Sequence, residues 1–225
     1  MIKLENLQKI FRTEEVETVA LNGVNLSIDE KEFVAIMGPS GCGKSTLMNI
    51  LGLLDNPTAG DYYLAETEVG RMKESERTET RKGMIGFVFQ SFNLIEEMNV
   101  SDNVALPLVY MGVPAQERKA RVEEALNRMK IDHRGRHFPN QLSGGQQQRV
   151  AIARSVVANP KIILADEPTG NLDSKNGLEV IKLLIELNRE GTTIVMVTHS
   201  QHDASFAHRI INLFDGEVIT KMKYL

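Results

Sequence analysis

The residues best placed for chemistry form one run, Gly38-Pro39-Ser40-Gly41-Cys42-Gly43-Lys44-Ser45, followed by Thr46. It has the spacing Gly-four-Gly-Lys-Ser. Glycines there let backbone N–H groups crowd around phosphate oxygens without Cβ clashes. Phe33 to Met37 reads as a buried strand entering the loop, and Lys44 to about Leu54 as the helix leaving it. That helix would aim its positive end at the same phosphates. Lys44 then reaches the β- and γ-phosphates of a nucleotide, and the Ser45 hydroxyl binds Mg²⁺. A merely flexible glycine loop would not need a buried strand before it and a helix after it.

A second pair, Asp166 and Glu167, ends the aliphatic run Lys161-Ile162-Ile163-Leu164-Ala165. A carboxylate at the tip of a buried strand is costly unless a cation or donor meets it. Beside a phosphate loop, Asp166 would hold Mg²⁺ through water and Glu167 would polarise an attacking water. Without the loop, two exposed acids at a strand end explain the pair equally well. Leu142-Ser143-Gly144-Gly145-Gln146, just before Gln147-Gln148-Arg149-Val150, reads as another helix start with backbone donors. It is either a second anion-binding end or an ordinary glycine turn capping a helix. The residues alone leave both readings open.

The elements that must position these groups alternate. Strand-like runs at 33–37, 85–89, 161–165 and 193–197 are separated by helical stretches, which argues for a mostly parallel sheet flanked by helices. Ser174 is expected to cap a helix running to about Arg189, and Gly191 to end it. Asp215-Gly216 between Ile210 to Phe214 and Glu217 to Thr220 signals a hairpin. Residues 1–30, with about 60–70, predict a small antiparallel sheet. Residues 92–158 read as mainly helical. Within Gln116 to Lys130, Val122, Ala125, Leu126 and Met129 share one helical face that packs on the domain.

Composition bounds the rest. The 225 residues suffice for one large α/β domain or two small ones. With 42% hydrophobic and 25% charged residues, the balance is that of a globular protein. A net charge of −4 gives no overall pull towards nucleic acid. The single cysteine, Cys42, excludes an intramolecular disulfide. No apolar run approaches the ~18 residues of a spanning helix. The N-terminus Met1-Ile2-Lys3-Leu4-Glu5-Asn6 lacks the apolar stretch of a signal peptide, so the chain is expected to start and stay in the cytoplasm. The remaining histidines, His133, His137, His202 and His208, show no metal-site spacing.

Taken together, the phosphate loop, Leu142-Ser143-Gly144-Gly145-Gln146, Ile162-Ile163-Leu164-Ala165-Asp166-Glu167-Pro168 and His199 resemble the nucleotide-binding domain of ABC transporters. Their order and spacing match across nearly the whole chain. The resemblance implies an α/β P-loop NTPase with a mostly parallel central sheet, a small antiparallel β-subdomain and a helical subdomain over about 92–158, all within a single domain spanning 1–225. It implies ATP and Mg²⁺ as cofactors. It implies a second copy of the chain packed head to tail, so that two ATPs are each held between the phosphate loop of one copy and Ser143, Gly144, Gly145 and Gln146 of the other. Gln90 corresponds to the family's glutamine that senses Mg²⁺ and the γ-phosphate. Asn171-Leu172-Asp173 corresponds to the loop crossing the dimer interface. His199 corresponds to the switch histidine on the γ-phosphate. Phe11 lies where the family stacks an aromatic on adenine, tyrosine being commoner; its other reading is a core residue of the small sheet. Cys42 stands where the family often has serine. Beside a helix N-terminus and Lys44 its thiol is either activated, so that thiol reagents inactivate and ATP protects, or an inert small residue.

Gly86 to Ile95 and Pro168 to Ser174 resemble, within that family, the ATPases of lipoprotein-release and macrolide-export systems. This implies an integral membrane permease as partner, a peripheral place on the cytoplasmic face of the inner membrane, mechanotransmission driven by ATP, and no nucleic acid. Asp29-Glu30-Lys31-Glu32 departs from the family, which often has a glycine before the strand at Phe33, so an altered turn is expected there. The expected hairpin lies close to Leu225, so no added regulatory domain is expected. Three rival classes share parts of the pattern. DNA-repair and chromosome-organising ATPases carry a long coiled coil between the two motifs, but Lys44 and Ser143 are only about 100 positions apart here, without sustained heptads. A module that holds ATP without hydrolysing it would not need Glu167 and His199. Ribosome-acting relatives normally carry two such domains in one chain.

Overall fold

A computed structural model describes residues 1–13 and 15–219. In chain order the elements are β1 (Ile2–Arg12), β2 (Glu17–Ile28), β3 (Phe33–Met37), α1 (Lys44–Leu51), β4 (Ala59–Leu64), β5 (Thr67–Glu68), α2 (Glu74–Arg81) and β6 (Ile85–Phe89). There follow α3 (Val100–Tyr110), α4 (Ala115–Arg128), α5 (Gly144–Val156), β7 (Ile162–Asp166), α6 (Ser174–Arg189), β8 (Thr193–Val197), α7 (Gln201–Ala204), β9 (Arg209–Phe214) and β10 (Glu217–Ile219). The chain divides into two compact units. The first holds Met1–Arg81 and the chain from Val195; the second holds Lys82–Ile194.

In the first unit, β1 pairs antiparallel with β2 and β4, giving the sheet order β2-β1-β4-β5. This is the small antiparallel sheet expected from residues 1–30 and 60–70. Its alternating pattern puts Ile2, Leu4, Leu7, Leu21, Val24 and Leu26 inside. The other strands run in the order β10-β9-β3-β8, with β3 and β9 parallel and β9 and β10 antiparallel. All five residues of β3 are buried, as a strand covered on both faces requires. The Asp215-Gly216 hairpin forms as expected, with Asp215 and Gly216 both at positive φ (46° and 79°); Thr220 lies outside the described residues. The helix from Lys44 ends at Leu51 rather than Leu54, because Gly52 caps it and Leu53 turns to φ 56°. Lys31 takes φ 63°, the region glycine favours, so the turn at Asp29 to Glu32 is closed by a side-chain-bearing residue. Its ends are tied by Asp29 N–H donating to Glu32 Oε2 at 2.9 Å and by the Arg209–Glu32 ion pair.

In the second unit β6 and β7 pair in parallel. Helices α3, α4, α5 and α6 pack with one another and α5 packs on β6. Residues 92–158 are mainly helical, as expected, and Val122, Ala125, Leu126 and Met129 are buried along one face of α4 and its C-terminus. The cap of α6 corrects the sequence reading. Asp173, not Ser174, is the N-cap: its carboxylate accepts from Lys175 and Asn176 N–H, both at 3.0 Å. A carboxylate is as good a cap as a hydroxyl, and the first residue with extended backbone is Asp173.

Candidate functional site

In the first unit β3 delivers the chain to the loop at 38–45 and α1 leaves it. Helix α1 begins after Gly43, whose φ is 103°, and no side chain caps its N-terminus. Two loop glycines are required by packing before any ligand is considered. A Cβ on Gly38 would lie 2.1 Å from the Leu213 carbonyl oxygen. One on Gly43 would lie 2.4 Å from the Ala20 carbonyl oxygen. Side-chain-bearing residues cannot approach backbone that closely.

The Lys44 ammonium curls over this loop. It donates to the carbonyl oxygens of Gly38 (2.9 Å) and Pro39 (2.8 Å) and lies 3.9 Å from Cys42 Sγ. Cys42 is only 2% exposed, packed beneath the loop. Ser45 and Thr46 follow in the first turn of α1, and Pro39, Ser40 and Gly41 form the outer rim of the loop. His199 is exposed between β8 and α7, next to Ser200, which caps α7. Phe11 sits at the end of β1, 46% exposed, with Lys9 Nζ 5.1 Å from the ring centroid. That exposure rules out the small-sheet core reading of Phe11. Lys9 is itself held by Asp55 Oδ1 at 2.7 Å and the Asn56 carbonyl at 2.8 Å.

In the second unit, Asp166 closes β7 and Glu167 follows at φ 43°. The Glu167 carbonyl accepts from Gly170 N–H at 3.0 Å, closing a tight turn. Gln90, at the end of β6, meets the loop after that turn. Asn171 Nδ2 donates to the Gln90 carbonyl at 3.0 Å, and Gln90 Nε2 lies 3.4 Å from Asn171 Oδ1. Gly170 makes this possible, since a Cβ there would fall 2.6 Å from Gln90 Nε2. Asp173 caps α6 and also accepts from Asn176 Nδ2 at 2.6 Å. The backbone bond from Asn176, then its side chain, holds the Asp173 carboxyl below the usual carboxylate range.

Helix α5 starts at Gly144 with Ser143 as N-cap. Ser143 N–H donates to Gln146 Oε1 at 3.0 Å, and Gln146 N–H to Ser143 Oγ at 3.4 Å, a reciprocal capping box. The glycine-turn cap therefore exists; it and an anion-binding role are not exclusive. Gly145 is buried against α6, with its would-be Cβ 2.6 Å from Asn176 Oδ1.

Sequence reasoning missed two side chains of α5. Gln148 Nε2 donates to the Pro168 carbonyl at 2.6 Å. Arg154 donates to the Asn93 (2.6 Å) and Phe92 (2.8 Å) carbonyls, and burial lowers its pKa. A signal existed for the first: Gln148 shares a helical face with Ile152 and Ser155, both buried. For Arg154 there was none, because its partners are backbone atoms. The other histidines have local roles: the His208 ring accepts from Phe33 N–H at 3.2 Å, and His137 Nε2 lies 2.9 Å from Arg134 Nη1.

A strand–glycine loop–helix with an uncapped helix start and a lysine folded over it defines the class, a phosphate-loop NTPase of α/β type. Comparison with known proteins narrows this. The ABC transporter family pattern matches residues 21–170. The ABC transporter ATP-binding protein MJ1508 of Methanocaldococcus jannaschii is 50% identical over 219 residues, 97% of this chain and 98% of that one. The macrolide export ATP-binding/permease protein MacB of Chlorobaculum tepidum is 50% identical over 226 residues, 99% of this chain but 34% of that protein. Among solved structures, the dimeric post-hydrolysis state of the ATP-binding cassette MJ0796 bound to ADP and Pi, from M. jannaschii, matches with a TM-score of 0.90 at 47% identity, over 100% and 99% of the two chains. The chain belongs to the ABC transporter family, as an ATP-binding protein with the ABC-type ATPase fold.

Proposed function

We propose that this chain hydrolyses ATP to power a separate membrane permease, in a machine of the lipoprotein-release or macrolide-export type that works by mechanotransmission. The observation that carries the reading is the near end-to-end match to one third of MacB, a protein named for both ATP binding and permease parts. No helix among the described residues is long and apolar enough to cross a membrane. The site of action is then the cytoplasmic face of the inner membrane, with no nucleic acid partner. The two units work as one ATPase domain over 1–225, with the helical stretch 92–158 as its subdomain.

Two copies pack head to tail around two ATPs, a reading supported by the dimeric structures of the MJ0796 cassette. Phe11 stacks on adenine. Gly38, Pro39, Ser40, Gly41, Cys42, Gly43 and Thr46 wrap the phosphates through backbone N–H groups. Lys44 leaves the Gly38 and Pro39 carbonyls to reach the β- and γ-phosphates. Ser143, Gly144, Gly145 and Gln146 of the second copy close on the γ-phosphate, and Asp173 stands in the loop that crosses the interface. Ser45, Gln90 and Asp166 offer a hydroxyl, an amide and a carboxylate, hard oxygen donors of the kind Mg²⁺ takes alongside water and phosphate. When bound, Mg²⁺ would neutralise charge on the β- and γ-phosphate oxygens. Glu167 orients a water and takes its proton as the water oxygen attacks the γ-phosphorus in line. The bond to the β–γ bridging oxygen breaks, releasing ADP and phosphate. His199 holds the γ-phosphate during the transfer.

Glu167→Gln tests this directly. Turnover is expected to fall about 10²–10⁴-fold, the scale of a lost general base, while ATP still binds. Near-normal hydrolysis would remove Glu167 from the role. The same variant, used as bait on solubilised membranes, should retain a permease; recovery of DNA or ribosomes instead would overturn the partner assignment.

A further inference from the structure

In the second unit Phe92, Asn93, Lys130, Asn159 and Glu167 hold left-handed backbone without being glycine, and two of these stretches adjoin residues of the proposed site. Phe92 and Asn93 (φ 60° and 50°) follow Gln90, and Glu167 (φ 43°) is itself one of them. A residue with a Cβ takes this conformation at a cost, and keeps it only where neighbours hold it. Both stretches are held from the same helix. Arg154 of α5 grips the Phe92 and Asn93 carbonyls, and Gln148 of α5 grips the Pro168 carbonyl at 2.6 Å.

The chemistry of Gln148 is informative. It is fully buried. Pro168 lacks an N–H, so it presents only an acceptor to the helix, and the amide nitrogen of Gln148 must face it. That orientation leaves Gln148 Oε1 buried with no hydrogen-bond partner among the described residues. An unpaired buried amide oxygen lowers stability, and an apolar side chain of similar volume would avoid it. A polar group kept at such a position is poorly explained by stability and well explained by what its other end holds. That end is the carbonyl next to Glu167, in a turn where Gly170 N–H also donates to the Glu167 carbonyl.

We propose that Gln148 is a positioning residue for ATP hydrolysis: its amide fixes the Glu167-Pro168 turn to α5, so that the placement of the Glu167 carboxylate follows the helix that begins at Ser143-Gly144-Gly145. Closure of α5 on the nucleotide held by the second copy is thereby tied to alignment of the attacking water at this chain's own nucleotide. The inference rests on the reading of Glu167 as the group that polarises water.

The test uses the full-length chain, with ATP and Mg²⁺, well below each variant's Tm. Gln148→Met keeps the volume and removes the donor. Its kcat is expected to fall about tenfold, the scale of one lost hydrogen bond, with KM for ATP unchanged within about twofold and Tm equal or higher. Gln148→Glu supplies the signature that a structural role would not. Its carboxylate cannot donate to the Pro168 carbonyl, but its protonated form can, and burial raises the carboxyl pKa. The ratio of variant to wild-type kcat should therefore rise as pH falls; taking the ratio cancels the titration of groups common to both. A wild-type kcat in Gln148→Met, a loss that merely tracks unfolded protein, or a ratio flat with pH in Gln148→Glu would each overturn the proposal. Glu167→Gln run alongside separates the two readings. If it hydrolyses normally, the base assignment fails; if it is inactive while Gln148→Met is unaffected, only the positioning role fails.

Discussion

Helix α1 begins after Gly43 and α5 begins at Gly144, and both are proposed to face phosphate, yet their first turns are built differently. At α1 the N-cap is Gly43 and no side chain accepts from the helix N–H groups. At α5 Ser143 and Gln146 cap each other's backbone in a closed box. An uncapped helix start with a lysine folded beside it is a ready anion site; a capped one already spends a donor on its own side chain. The glycines differ as well. Gly43 is pressed against backbone, the Ala20 carbonyl, whereas Gly145 is pressed against the Asn176 side-chain amide. The first loop is thus built around its backbone, and the second around side chains that can move.

That contrast can be broken most sharply at the glycines. Gly43→Ala should cost about 3 kcal/mol in urea unfolding, since it adds both a positive-φ penalty and a clash that only backbone movement relieves. Gly145→Ala should cost less, about 1–2 kcal/mol, because a side chain rather than backbone must give way, at the expense of the Asn176–Asp173 hydrogen bond. Equal losses at the two sites would erase the distinction. A second comparison uses nucleotide affinity, read by calorimetry. Lys44→Ala should weaken ATP binding about 10–100-fold, the range for losing a charge-assisted contact. Ser143→Ala should leave binding by the single chain unchanged, and a matching loss there would mean that α5 is an equal first site. The smallest effect concerns Ser143 itself. Removing its hydroxyl should lower stability by about 1 kcal/mol through the lost cap and turnover about tenfold through a lost phosphate contact. Unaltered turnover with the expected drop in Tm would leave Ser143 as a cap alone.

Local pattern made much of this legible. The run from Phe33 to Ser45 announces strand, loop and helix because each step depends on adjacent residues, and the alternation of aliphatic runs with helical stretches announces the sheet. The missed features have a common cause. Helix α2 has no buried residue, so Glu74 to Arg81 offered no apolar stripe to read; it is fastened instead by polar ties, Lys73 N–H to Glu76 Oε2 and Arg81 to the Leu53 carbonyl, both at 2.8 Å. The cap of α6 fell one residue early because Asp173 and Ser174 are both good caps, and only backbone geometry separates them. The left-handed turns at Phe92 and Glu167 lie at residues with no intrinsic preference for them, and the tolerance of Asn93 for that region does not by itself announce a turn.

By itself, then, the sequence determined the chemistry of the phosphate loop, because glycine, lysine and hydroxyl groups act there through short-range geometry. Only the tertiary structure decided why Gly38 and Gly43 must be glycine, since the carbonyls they meet belong to Leu213 and Ala20, strands away along the chain. It also decided that the run of three glutamines after Gly145 contains one, Gln148, buried and tied to the turn beside Glu167. Such contacts join residues far apart in sequence, and no local spacing encodes which backbone carbonyl a side chain will find.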